Sequence, residues 1–263
     1  MTEERFITLG DNKIRYLEAG ESKNNLVLVH GLGASANRWD PIIPYLSKKF
    51  HLIIPDLIGH GYSDKPLVDY TMKFFVNFLT EFIEELNIKK TNIIASSFGG
   101  QIAAECAIKQ NNSFEKLALV SPSGINPRLS PAMDAYMLTM IHPNKERTLQ
   151  AFKEMAGPKK EIDSKMIDDF VKRINMPNAK MAIMSTLLGL KYAKVLTNRL
   201  SKILIPTLVV WGNEDAVIPF RYAKIFVSSI KGCQFIEMNS CGHIPFAEEP
   251  QKFSDGILEF FNK

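Results

Sequence analysis

Short apolar runs with almost no charge recur along the first half of the chain, at Leu26 to Val29, Leu52 to Ile54, Asn92 to Ala95 and Leu117 to Val120. Runs of this kind suit strands buried on both faces of a parallel sheet. Helical patterns lie between them. Phe75, Phe78, Leu79, Phe82, Ile83 and Leu86 form one stripe over Met72 to Leu86, and a second helix is expected over Gly100 to Ile108. Alternating strand and helix predicts an α/β domain. The opening segments, Phe6 to Leu9 and Lys13 to Glu18 around Gly10-Asp11-Asn12, predict an antiparallel hairpin at the sheet edge, and so a mostly parallel but mixed sheet.

The alternation stops between Pro122 and Leu200, where helix-like patterns are broken by Pro131, Pro143, Gly157-Pro158 and Pro177 and no strand is convincing. Thr207 to Trp211 and Gln234 to Met238 resume the buried-strand pattern, each followed by a helix, over Arg221 to Ile230 and Pro250 to Phe260. The expectation is one α/β core, residues 1–121 and 201–263, interrupted by a helical insertion over residues 122–200.

Composition narrows the class without naming a reaction. With 263 residues, 46% hydrophobic and 23% charged, the chain can bury a substantial core, which excludes disordered and fibrous states. A net charge of +4 is too small to imply a nucleic-acid partner. Cys106, Cys233 and Cys241 form neither a disulfide framework nor a metal spacing, so reduced thiols are expected. The opening MTEERFITLG is charged where a signal peptide is apolar, and no run of membrane-spanning length occurs. A cytoplasmic protein without a membrane partner is expected.

The chemistry concentrates where a strand meets a helix. Asn92 to Gly100 reads as a buried strand, a turn of small residues and a helix, and its turn matches G-x-S-x-G with alanine in the first place. A nucleophile elbow needs small residues two positions before and after the nucleophile, because the strained turn brings those backbones together. Ser97 meets this with Ala95 and Gly99; Ser96, flanked by Ile94 and Phe98, does not. An acyl-transfer serine also needs N–H donors for an oxyanion: the Phe98 N–H at the helix start, and the Leu32 N–H in His30-Gly31-Leu32-Gly33. Five histidines compete as base. His243, in a loop just beyond a strand, is best placed, whereas His30 and His60 precede glycines and suit loop orientation, His51 opens a strand and His142 falls in the insertion. The acid orienting His243 comes from Trp211-Gly212-Asn213-Glu214-Asp215, as Asp215 or its neighbour Glu214.

These motifs, in the order Ser97, Asp215, His243, resemble the α/β-hydrolase superfamily over the chain outside the insertion. Asp56 to Ser63 resembles that family's D-x-x-G-x-G-x-S turn, and Gly242-His243 through Glu249-Pro250 its G-H-x-x-x-x-E-x-P ending. Gly212 to Asp215 matches its G-x-x-D loop, which assigns the acid role to Asp215. The resemblance implies that residues 122–200 form a helical cap over the active site. Serine on the elbow, where related epoxide hydrolases and haloalkane dehalogenases carry aspartate, implies an acyl-enzyme. Carbon–carbon bond hydrolases of ring-cleavage products share the serine and a cap of this size. They commonly have tryptophan after the catalytic histidine, where Ile244 stands here, and a more glycine-rich oxyanion loop. The expectation is therefore a serine carboxylesterase-type enzyme needing no cofactor, with carbon–carbon cleavage as the alternative and a hydrolase-fold ligand sensor as an alternative of another class.

Eight of the eleven methionines fall in the insertion, which suits an adaptable apolar pocket for a small-molecule ester; Met137, Met184 and Ile244 are the expected substrate contacts. The insertion also carries 13 Lys and Arg against 7 Asp and Glu, a net +6, and Arg128, Arg147 and Arg173 are the cations that would matter if they face inward.

Overall fold

Eight strands form one sheet in the order β1-β2-β4-β3-β5-β6-β7-β8. They are β1 (Glu3–Leu9), β2 (Asn12–Ala19), β3 (Asn25–Val29), β4 (His51–Pro55), β5 (Thr91–Ser96), β6 (Phe114–Val120), β7 (Thr207–Gly212) and β8 (Gln234–Met238). The computed structural model describes residues 1–110, 113–125, 129–157 and 161–262, so Arg128 lies outside the described residues. β1 and β2 pair as the expected hairpin, with Leu9 opposite Asn12 and Gly10 at positive φ in the turn. β2 pairs antiparallel with β4 as well, and all remaining pairs are parallel.

The helices of the core are α1 (Ile43–Leu46), α2 (Met72–Glu85) and α3 (Ser97–Ile108) before the insertion, and α8 (Ala223–Ser229), α9 (Pro245–Glu248) and α10 (Pro250–Asn262) after it. Strand residues divide by parity between two apolar layers. Val27, Val29, Ile93, Ala95, Leu117, Leu119, Val209 and Trp211 face the side covered by α2, α3 and α8. Leu26, Leu28, Ile94, Ala118, Val120, Leu208 and Val210 pack with Trp39, Phe246, Phe253, Ile257 and Phe260 on the other side. A sheet buried on both faces explains why the strands read as unbroken apolar runs. β8 departs from that expectation. It is the sheet's edge, with one neighbour, so Gln234 and Glu237 are exposed and Phe235 is 38% exposed.

Between β6 and β7 the chain forms α4 (Pro131–Ile141), α5 (Lys145–Met155), α6 (Ser164–Ile174) and α7 (Ala179–Lys191). Some of the residues that interrupt the apolar pattern here start these helices. Ser130 caps α4 with Pro131 in the first turn, the Asn144 side chain accepts from the N–H groups of Glu146 and Arg147, and Asp163 caps α6. Tyr136, Phe152 and Phe170 pack ring to ring, joining α4, α5 and α6. Among the described residues, no helix is long and apolar enough to cross a membrane.

The sheet order changes direction at β3: β4 lies on one side of it and β5 on the other. Loops leaving the carboxyl ends of strands on either side of such a switch point diverge and open a crevice. Leu32 follows β3 and Ser97 follows β5, so both lie at that crevice.

Candidate active site

Ser97 adopts φ of +53°, a left-handed conformation that a residue with a side chain enters at a cost of about 1 kcal/mol or more. Close packing enforces it. A Cβ at Gly99 would lie 2.4 Å from the His30 carbonyl oxygen, and one at Gly31 would lie 3.2 Å from the Ser97 Cβ, so the turn after β5 and the loop after β3 touch through their glycines. Ala95 is fully buried in the place where the elbow pattern has glycine, and its methyl packs in the layer beneath α2 and α3. The helix begins earlier than its apolar pattern indicated, at Ser97 itself, which leaves the Phe98 N–H in the first turn without an intrahelical partner.

His243 and Asp215 meet across two loops. Nδ1 of His243 lies 2.8 Å from Asp215 Oδ2, and Asp215 Oδ1 accepts the Val217 and Ile218 N–H groups at 2.9 and 2.8 Å. The carboxylate is thus held on one side by backbone and offers its other oxygen to the ring. An Nδ1–H donated to Asp215 leaves Nε2 as the acceptor of a neutral imidazole. Glu214 does not take this place; its N–H donates to the Cys241 carbonyl, which ties the acid loop to the histidine loop. The histidine loop is fixed further by Glu248, whose carboxylate accepts N–H groups of Gly242 at 2.8 Å and Ile244 at 3.2 Å, and by the Met155 carbonyl, which accepts the His243 N–H at 2.8 Å.

The loop after β3 is set by His30. Its Nδ1 donates to the Gly31 carbonyl at 2.8 Å and its Nε2 accepts the Leu57 N–H at 3.0 Å. In a planar trans peptide the carbonyl and the following N–H point opposite ways, so holding the Gly31 oxygen also directs the Leu32 N–H. Complete burial pulls the His30 pKa down to about 3, and His60 beside it behaves alike. Both rings are neutral parts of loops, as their glycine contexts indicated. His51 bonds Glu18 and Asn25 across the ends of β4, β2 and β3, and His142 ends α4. The D-x-x-G-x-G-x-S turn is likewise architectural: the Asp56 carboxylate collects the Ala36 and Tyr62 N–H groups and the Arg15 guanidinium.

The helical segment touches each of these loops. The Tyr136 hydroxyl donates to the Leu32 carbonyl at 2.7 Å, Arg173 to the Gly33 carbonyl at 3.0 Å, and Ser130 to the Val217 carbonyl at 2.8 Å. Ser97, His243 and Leu32 line one narrow cavity of about 30 Å³, roofed by Met133, Tyr136 and Met155. Of the expected substrate contacts, Ile244 lines this cavity, whereas Met137 and Met184 do not. Met137 packs against the core, and Met184 is 53% exposed because α7 buries Ala179, Ala182, Ile183 and Thr186 on its opposite side. Among the basic residues, Arg173 faces inward but is engaged by Asp169 at 2.7 Å, and Arg147 is exposed.

Sequence reasoning did not find the Met155 carbonyl or the Tyr136 hydroxyl, which depend on how the inserted helices dock. Glu248 was within reach, since it occupies the glutamate place of the G-H-x-x-x-x-E-x-P ending. The cysteines are unpaired, and burial pushes Cys106 up to about 12 and Cys241 up to about 11, so neither offers a thiolate. Among the described residues no cluster of three or more His, Cys, Asp or Glu is placed to hold a metal ion.

This sheet order and these loops define an α/β hydrolase. A family model described as alpha/beta hydrolase fold matches residues 24–250, and the chain belongs to that family. It is similar to a 2-hydroxy-6-oxo-6-(2'-aminophenyl)hexa-2,4-dienoic acid hydrolase of Metapseudomonas resinovorans, 29% identical, over 99% of this chain and 91% of that one. A human monoacylglycerol lipase is 24% identical over 90% of this chain and 75% of its own length. Among solved structures, a serine hydrolase involved in carbazole degradation superposes with a TM-score of 0.87 at 26% identity, covering 100% of this chain and 99% of that one.

Proposed function

We propose that this protein is a serine hydrolase that cleaves carboxylic esters through an acyl-enzyme, with Ser97 as nucleophile, His243 as base and Asp215 as the residue orienting it. One juxtaposition carries the reading: a serine held at positive φ shares a cavity with an imidazole whose Nδ1 is 2.8 Å from a buried carboxylate. His243 Nε2 takes the Ser97 proton as Oγ attacks the ester carbonyl carbon. The Leu32 and Phe98 N–H groups hold the resulting oxyanion. His243 then protonates the departing alkoxide, and water repeats the cycle to release the acid and restore Ser97. This chemistry calls on neither metal nor organic cofactor.

Residues 122–200 act in this reading as a cap. The cavity at Ser97 is narrow, about 30 Å³, so in this reading Met133, Tyr136 and Met155 restrict what can reach the serine. Carbon–carbon bond hydrolysis is the second reading, supported by the 29% identical dienoic acid hydrolase. The same nucleophile, base and oxyanion donors would serve it.

The test is direct. Ser97→Ala should lower turnover of a para-nitrophenyl ester by roughly 10⁴ to 10⁶, and a phosphonate probe should label Ser97 alone by mass spectrometry. Full activity in that variant overturns the assignment. A 2-hydroxy-6-oxodienoate assayed beside short-chain esters separates the two readings by their ratio of kcat/KM.

A further inference from the structure

Arg38 lies on the short 3₁₀ turn Ala36–Trp39, just beyond the loop that holds Leu32. Its side chain lines the small cavity at Ser97 and also a second cavity, of about 970 Å³, that opens beside it beneath α6. Among the described residues, only Ala34, Tyr136 and Ile244 share that position on both walls, so Arg38 is the charged group among them at the passage between the two spaces.

The guanidinium is held but not neutralised. It lies over the Phe152 ring, 5.1 Å from the centroid, and its Nη1 touches the Met166 sulfur, a weak acceptor. Every Asp and Glu of the chain is among the described residues, and none of them pairs with Arg38. The other arginines of the larger cavity differ: Arg15 pairs with Glu4 and Asp56, and Arg173 with Asp169. The remaining acids on its wall, Asp40, Glu161 and Asp163, are exposed at the rim. Burial draws the Arg38 pKa below its ordinary value, against the smaller opposing pulls of Tyr136 and Glu248. Its side chain is half-buried on the wall of the larger cavity, where an incoming anion would meet it.

The geometry points to Arg38 as the docking group for an anionic substrate: an ester whose acyl or alcohol part carries a carboxylate or phosphate, seated in the larger cavity with its ester reaching through to Ser97. A guanidinium edge matches either oxyanion with paired N–H donors, and the face stacked on Phe152 fixes its direction. This inference rests on the ester-cleaving reading above and adds the substrate class.

The test compares para-nitrophenyl esters of equal length: hexanoate, the adipate monoester, and the analogue with a phosphonate in place of the terminal carboxylate. Wild-type kcat/KM should favour one of the charged esters over hexanoate by about tenfold or more, the range expected for a charge-assisted hydrogen bond, and the favoured one tells carboxylate from phosphate. Arg38→Met, which keeps the length and the contact with Phe152, should lose at least about tenfold more on that ester than on hexanoate. Arg38→Lys should restore part of the difference. Equal losses on all three esters, or a wild type that prefers hexanoate, overturn the inference and leave the ester reading standing. Should no ester be turned over, calorimetry of adipate and of inorganic phosphate with the Ser97→Ala protein decides. Binding lost on adding Arg38→Met supports the site, and no binding of either ion overturns it.

Discussion

In the sheet-bearing half of the chain, alternate residues of each strand go to opposite faces, and the loops at the strand ends are clamped by short hydrogen bonds from buried polar groups. In the inserted half, helices meet through thioethers and aromatic rings, and reach the core by a few donors aimed at backbone carbonyls, such as Tyr136 onto Leu32 and Ser130 onto Val217. The sheet-end loops bring Ser97 and His243 to one cavity; the inserted helices cover it. The contrast shows why an elbow turn can be recognised from local sequence while a pocket cannot. An elbow is specified by adjacent residues, whereas a roof is specified by which side of each helix happens to face down.

The contrast can be broken most severely at the orienting acid. Asp215→Asn keeps the shape of the clamp but frees the ring to take the wrong tautomer, and kcat on an ester should fall by about 10⁴ with little change in thermal midpoint. A midpoint that collapses instead would make the Asp215 contacts structural. Glu248→Ala comes next. It strips acceptors from the N–H groups of Gly242, Ile244 and Gly157 at once, and should cost about 2 to 4 kcal/mol in urea unfolding together with a loss of activity. Unchanged stability would show that water replaces the carboxylate freely.

Acid should separate the halves more gently. His30 and His60 are neutral in the fold, with pKa values near 3 against 6.5 in the unfolded chain, so the unfolded state binds more protons between those limits. Their contribution is complete above about pH 6.5 and is lost as pH falls toward 3, at up to about 1.4 kcal/mol per pH unit for each ring. Urea midpoints measured from pH 7 to pH 4.5 should fall accordingly, and His60→Gln should flatten the slope by one proton. The smallest effect is expected on the outside of the roof: Met184→Ala should move stability by less than about 0.5 kcal/mol and leave kcat/KM as it is. A loss as large as that from truncating the buried Met155 would mean that α7 presents a different face.

Strand positions were legible because burial on both faces leaves unbroken apolar runs, and β3 to β7 fall where those runs lie. β8 was legible in place but not in burial, since an edge strand and a central one can share an apolar core of letters. Ser97, Asp215 and His243 could be read because each sits in a turn whose spacing is dictated by close backbone approach. The roof could not. Met133, Met155 and Met184 look alike in sequence, and only the docking of α4, α5 and α7 puts the first two above Ser97 and the third in solvent. Arg38 was hidden for the same reason, because its meaning depends on which residues the docked helices bring to the cavity wall beside it.

The roof over Ser97 also bears on tempo. The space beneath Met133, Tyr136 and Met155 is narrow, about 30 Å³. In the ester-cleaving reading, substrate and product would pass beside Met133, Tyr136 and Met155, and an opening step there would add to the turnover time set by proton transfer below.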